Sequence, residues 1–221
     1  LRQLLEKTAY TNYEILLPAR FENQINIQND RLRYVSTETR HGMIQAAKGE
    51  YVALLNAGLV PTKNDWLKEL MNIGQQETSG LVTGRVVDAR YRVETVGVSV
   101  DTDKGRLLYP EKGTPGKSLG YYYRIALPRN IQAATEDCLL FNKQLYLNLE
   151  GINENLGKEW MGVDLSLQFA SAGKRNVYVS YAILKADEKI QNHDKKGSYK
   201  ELAEKWTAEA LVDPYRNPKH L

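Results

Sequence analysis

Ala47-Lys48-Gly49-Glu50-Tyr51-Val52-Ala53-Leu54-Leu55-Asn56-Ala57-Gly58 is the stretch that decides the fold. Lys48 and Gly49 supply a basic last turn and a C′ glycine, which stop a preceding helix. Tyr51 to Leu55 follow as an unbroken apolar run, the pattern of a strand buried on both faces of a parallel sheet. Ligands of such sheets bind beyond the carboxyl ends of the strands. That rule puts Asn56, Ala57 and Gly58 at the mouth of a cleft.

Helix and strand patterns alternate on either side of this run. Residues 1–8 form a short amphipathic helix, 14–18 and 32–35 are short strands around a polar stretch, and 39–47 is helical. Beyond the cleft, Trp66, Leu67, Leu70 and Ile73 mark a helix capped by Asn64 or Asp65. Residues 81–87 return as a strand. Glycines, prolines and charges between Val93 and Gly120 predict a hairpin and then a long mobile loop. Strand segments at 131–134 and 138–141 lead to a short helix at 143–149. A helix over 163–172 is opened by Asp164 as its cap, and 176–184 alternates like a strand. A helix over 198–211, opened by a serine cap, and a turn at 213–218 complete one domain over 1–221. The alternation predicts an α/β fold, a mostly parallel sheet with helices on both faces.

Composition narrows the function classes. No apolar run approaches the ~20 residues that span a bilayer, and the net charge of +3 is too small and scattered to argue for nucleic acid. Mild attraction to phosphates or an anionic membrane surface stays open. Cys138 is the single cysteine, in an apolar run, which predicts a buried inert thiol and a reducing, cytoplasmic location. His41, His193 and His220 lie in separate polar segments without ligand spacing. No glycine-rich phosphate loop or nucleophile elbow occurs. The chain starts at Leu1 without methionine or signal peptide, which predicts a fragment of something longer.

The order of segments resembles the family 2 glycosyltransferases. Leu4 to Thr8 with Tyr10 and Asn12 to Ile15 resembles their first helix and second strand, and Ala47 to Asn56 the segment before the metal site. Asp65 to Leu70 resembles the next helix; Cys138 to Tyr146, Glu150 to Leu156 and Val163 to Leu165 resemble the acceptor-side half. Trp206, Asp213 to Tyr215 and Asn217-Pro218 resemble the tail of large bacterial members. The family's first strand is absent before Leu1. The resemblance implies a GT-A (Rossmann-like) three-layer sandwich with a small antiparallel acceptor-side region. It implies a nucleotide-diphosphate sugar donor, a glycan, lipid or protein acceptor, and a role in cell-surface polysaccharide biosynthesis. A divalent Mn or Mg ion and a carboxylate base would serve transfer.

Four functional positions depart from that pattern. The acidic metal motif corresponds to Asn56-Ala57-Gly58, and an amide oxygen alone is a poor ligand for a hard cation. The base corresponds to Gly162, two residues before Asp164. The histidine ending the last strand corresponds to Lys185, and Leu17-Pro18-Ala19 replaces an aspartate. No metal is therefore expected. Two explanations compete. In one, catalysis is lost and the domain, paired with a glycosyltransferase domain or with itself, binds or assembles. In the other, chemistry persists without metal, with Lys185 as fixed charge, Glu136 or Asp137 as base, and Asp164 as a further candidate catalytic residue. Glu136 and Asp137 also read as solvated strand-end charges, Lys185 as a residue of a salt-bridged surface turn, and the Tyr121-Tyr122-Tyr123 rings as a stacking platform or as packing on the sheet.

Overall fold

The computed structural model describes residues 1–186 and 198–216. His193, His220, Asn217-Pro218 and the turn after Ala186 lie outside them. The element order is α1 (Arg2–Glu6), β1 (Ile15–Pro18), β2 (Leu32–Val35), α2 (Arg40–Ala46), β3 (Tyr51–Leu55), β4 (Leu59–Pro61), α3 (Trp66–Gly74), β5 (Ser79–Val87), β6 (Val93–Thr95), β7 (Ser99–Asp101), β8 (Arg106–Leu108), β9 (Arg129–Ile131), β10 (Cys138–Asn142), α4 (Lys143–Leu147), α5 (Lys158–Ser171), β11 (Arg175–Ala186) and α6 (Ser198–Lys205).

A seven-stranded sheet runs β3-β10-β5-β11-β4, with β6 beside β5 and β9 beside β11. β5 and β11 pair in parallel, and β10 lies antiparallel between β3 and β5. β3, β5 and β11 therefore share one direction and end together. β4, β6 and β9 are antiparallel additions at the margins. Alternation along the strands splits the core. Leu81, Leu139, Phe141 and Tyr178 pack with Leu165 and Phe169 of α5, whereas Val82, Cys138 and Leu140 pack with Trp66, Leu67 and Leu70 of α3. The result is helix, sheet and helix in three layers, with an antiparallel β7–β8 hairpin to one side. Burial pushes the Cys138 thiol up to about 12, so it stays protonated.

Several local expectations fail for identifiable reasons. α5 starts at Lys158 rather than 163, because every residue from Trp160 to Phe169 is buried and the helix shows no polar face at its start. Its outer side packs on Val98, Val100, Leu202 and Leu211. The hairpin expected after Val93 is β7–β8, and residues 93–100 leading into it are packed. β9 ends at Ile131, leaving 132–137 outside the ladder, and β4 was unforeseen. α2 ends with Ala47 extended, and Lys143 Nζ caps it by donating to the carbonyls of Gln45 and Ala47 at 3.0 and 2.6 Å. Gly49 is thus not its left-handed stop. Asp65 precedes α3 without a side-chain capping bond. α6 ends at Lys205, and Ser198 Oγ accepts from Gly157 N at 2.8 Å, tying α6 to the start of α5.

β1 and β2 form a separate parallel pair. Glu14 anchors it: its carboxylate accepts from Arg33 Nε at 2.9 Å and from Lys48 N at 2.5 Å, while Arg33 Nη2 reaches Ala46 O at 2.6 Å. Burial pushes the Glu14 carboxyl up, but the Arg33 guanidinium and the Lys48 N–H outweigh it and hold the group below its ordinary value. A lowered folded-state pKa gives stability that is present above the ordinary carboxylate range and is lost as pH falls through the folded value. Glu14→Gln is expected to lower the melting temperature by about 2–4 °C at neutral pH, corresponding to about 1 kcal/mol for a partly buried pair. Thermal scans should show the gap closing in acid; a gap independent of pH would refute the linkage.

Candidate functional site

β3 and β10 deliver their ends to the same point. Cys138 pairs with Leu55, and the ladder gains one more rung, Asn56 N donating to Asp137 O at 2.9 Å. The side chains repeat the link: Asn56 Nδ2 donates to Asp137 Oδ1 at 3.1 Å. A carboxylate only accepts, so the amide nitrogen is the atom that faces it. The other oxygen, Asp137 Oδ2, accepts from Thr135 Oγ1 at 2.7 Å. Ala57 and Gly58 complete the turn into β4, with Leu59 N bonded to Asn56 O at 2.9 Å and open space beside Gly58.

Glu136 and Asp137 are buried, each 9% exposed, so they are not solvated strand-end charges. Arg40, the first residue of α2, reaches Glu136 Oε1 with its Nε at 2.6 Å. Glu136 Oε2 is buried and finds no partner among the described residues. Burial raises the Glu136 pKa, and the Arg40 bond and charge only partly offset it. Gly162 lies against the same segment. A side chain there would meet Ala134 O at 2.5 Å and Glu136 N at 2.8 Å. Ser166 seals the contact, donating to Gly162 O at 2.6 Å and accepting from Ala134 N at 3.2 Å.

Asp164 is removed from this group. Two residues along a helix turn it by about 200° from Gly162, and it is fully buried in the middle of α5 rather than at its cap. It accepts from Trp206 Nε1 at 2.8 Å and Gln168 Nε2 at 2.8 Å, and Lys205 Nζ lies 3.0 Å from Oδ1. It fastens α6 and the following turn to α5, a positioning task within the fold. Lys185 ends β11 opposite Val60 and Val87, at the same end of the sheet as Asn56. Two strand spacings, about 10 Å, separate its strand from that of Asp137. Asn56, Glu136, Asp137 and Gly162 thus come together; Lys185 stands across the sheet end and Asp164 faces elsewhere. His41 spends Nδ1 on Tyr146 Oη at 3.0 Å. Tyr121, Tyr122 and Tyr123 are 50, 81 and 54% exposed, so none folds onto the sheet.

A divalent cation needs several charged oxygens. Here the mouth offers an amide, the Asp137 carboxylate, both oxygens of which already accept hydrogen bonds, and the Glu136 carboxylate, whose charge Arg40 already pairs. Among the described residues no three His, Cys, Asp or Glu side chains converge. These residues do not fit the ion, and no step is routed through one. Arg40 and Thr135 carried no signal in the sequence, since neither stands at a motif position.

No family model matches the chain. It is 25% identical over 211 aligned positions to an uncharacterized protein, y4gI, of Sinorhizobium fredii, covering 89% of this chain and 23% of that protein. Its fold is similar to the crystal structure of GalNAc-T7 with UDP, GalNAc and Mn2+, at TM-score 0.61 and 14% identity, covering 86% of this chain and 39% of that one. The fold is thus GT-A-like. The chain spans less than half the length of either. Among the described residues no helix is long and apolar enough to cross a membrane.

The contact at Gly162 gives a direct check. Gly162→Ala is expected to cost about 1–3 kcal/mol by overpacking, seen as a lower denaturation midpoint. An unchanged midpoint would mean that residues 134–136 are not seated on α5.

Proposed function

We propose that this chain is a family 2 glycosyltransferase-type domain whose cleft does not carry out metal-dependent sugar transfer and which serves as a binding or assembly module of a larger glycosyltransferase. One observation carries the reading: the Asn56 amide bonds to Asp137 where, by resemblance, the acidic metal motif would stand. The GT-A-like fold supports the nucleotide-sugar ancestry, and GalNAc-T7, of similar fold, was crystallised with UDP and Mn2+. Transfer in such a scaffold needs positive charge against the leaving diphosphate. Asn56, Ala57 and Gly58 provide no ligand set for a cation that would bring it. The base position is closed too, because backbone atoms of 134–136 occupy the space a side chain at 162 requires. A cytoplasmic place in cell-surface polysaccharide assembly, peripheral to the membrane, beside an active domain or a second copy, follows from the same reading.

Calorimetric titration with UDP, GDP and dTDP sugars, with and without manganese, tests this proposal. Weak or absent binding, unchanged by manganese, is expected. Tight binding that requires manganese would overturn it.

A second reading has its own observation. Glu136 keeps one buried oxygen without a partner, and burial raises its pKa, both of which suit a general base. With Lys185 as a fixed cation toward the diphosphate, transfer would proceed without metal. On this reading the wild type transfers sugar in the presence of a chelator, and Glu136→Gln lowers the rate by about a hundredfold or more. Undetectable turnover in the wild type, or unchanged turnover in the variant, would eliminate it.

A further inference from the structure

We infer that the cavity between the β7–β8 hairpin, β9 and the C-terminal turn binds an acidic saccharide, a sugar bearing a phosphate or carboxylate. The cavity encloses about 540 Å³ and is lined by Arg124, Arg129 and Arg216 together with Tyr109, Tyr215 and Asp213. That is within the range of small-ligand sites. The three guanidiniums carry its chemistry. Among the described residues, no salt bridge involves any of them. Arg129 donates only to carbonyl oxygens, those of Val96 at 2.8 Å, Arg124 at 3.4 Å and Asn130 at 3.5 Å, and lies over the Tyr178 ring.

Such a cation is poorly compensated. Burial and then the Arg124 charge lower the Arg129 pKa, and the charges of Asp213 and Glu111 offset this only in part. The carboxylate in the lining, Asp213, is engaged by its own turn: it accepts from Ser99 Oγ and, at 2.9 Å, from Tyr215 N. Three guanidiniums face one lining carboxylate, so an oxyanion would add countercharge, and the planar fork of arginine matches phosphate and carboxylate oxygens. The aromatic walls select the rest of the ligand. Tyr215 is 45% exposed, and Tyr109 is the other aromatic residue of the lining. Tyrosine faces pack against sugar C–H surfaces and keep a hydroxyl for hydrogen bonding.

The cavity is independent of the cleft at Asn56. β9 pairs with Asn176–Tyr178, whereas Lys185 lies at the far end of β11. At about 3.3 Å per residue the separation along the strand is on the order of 20 Å. Occupancy here is therefore measured without assuming anything about sugar transfer.

The test titrates the 15N-labelled chain with glucose 6-phosphate, glucuronate, glucose and inorganic phosphate. Either acidic sugar is expected to shift amides of residues 97–99, 129–132 and 213–216, more tightly than inorganic phosphate, with glucose inert. Arg216→Ala and Arg124→Gln remove guanidiniums that make no side-chain hydrogen bond to the described residues, and each should weaken binding about tenfold. Their melting temperatures serve as the folding control. Three results would overturn the assignment. They are silence up to about 10 mM of both acidic sugars, affinity no better than for inorganic phosphate or glucose, or affinity unchanged in folded variants.

Discussion

The hydrogen bond from the Asn56 amide to the Asp137 carboxylate closes the one end of the sheet where β3, β5 and β11 finish together. Its partners come from adjacent antiparallel strands, so the side-chain bond lies directly above the last backbone rung. Geometry of this kind is set by the sheet and does not depend on long flexible side chains. The Asp137 carboxylate gives both oxygens to neutral donors, Asn56 and Thr135, and Arg40 pairs the neighbouring Glu136, which falls short of the several charged oxygens a hard cation takes. A buried acceptor left without its donor is costly, which explains why the pair belongs together.

The surrounding packing holds that arrangement. α5 presses Gly162 against Ala134 to Glu136, and Ser166 pins the contact from the next turn. On its opposite side, Asp164 gathers Trp206, Lys205 and Gln168, so α6 and the turn behind it are clamped to the same helix. A buried carboxylate with this many donors stabilises only while all remain in place. The helix thus links the sheet mouth to the C-terminal segment that walls the arginine-lined cavity. The two candidate sites share one rigid element while lying at different ends of β11.

How much of this was legible in the sequence depended on the range of the interaction. β3 and the position of Asn56 beyond it followed from five apolar residues and a glycine turn, all local. Cys138 read correctly as buried because its neighbours are apolar too. Glu136 and Asp137 could not be read as buried, since Arg40 and Asn56 stand 96 and 81 residues away. Asp164 resembles a helix cap only if the helix starts at 163. Burial on all sides erased the periodicity that would have shown the preceding turn. Arg124 and Arg216 stood in a tyrosine cluster and a terminal turn, and Arg129 carried no motif; their common cavity was hidden because three distant segments assemble it.

Whether manganese finds ligands at the mouth of the sheet decides whether the Asn56–Asp137 bond stands in place of a cation site. Paramagnetic broadening answers this directly, with equimolar Mn2+ added to the 15N-labelled chain. The account predicts that the Asn56 side-chain amide and the backbone amides of Gly58 and Asp137 keep their intensities relative to the rest of the protein. Selective loss of those signals would place the ion beside Gly58 and contradict it.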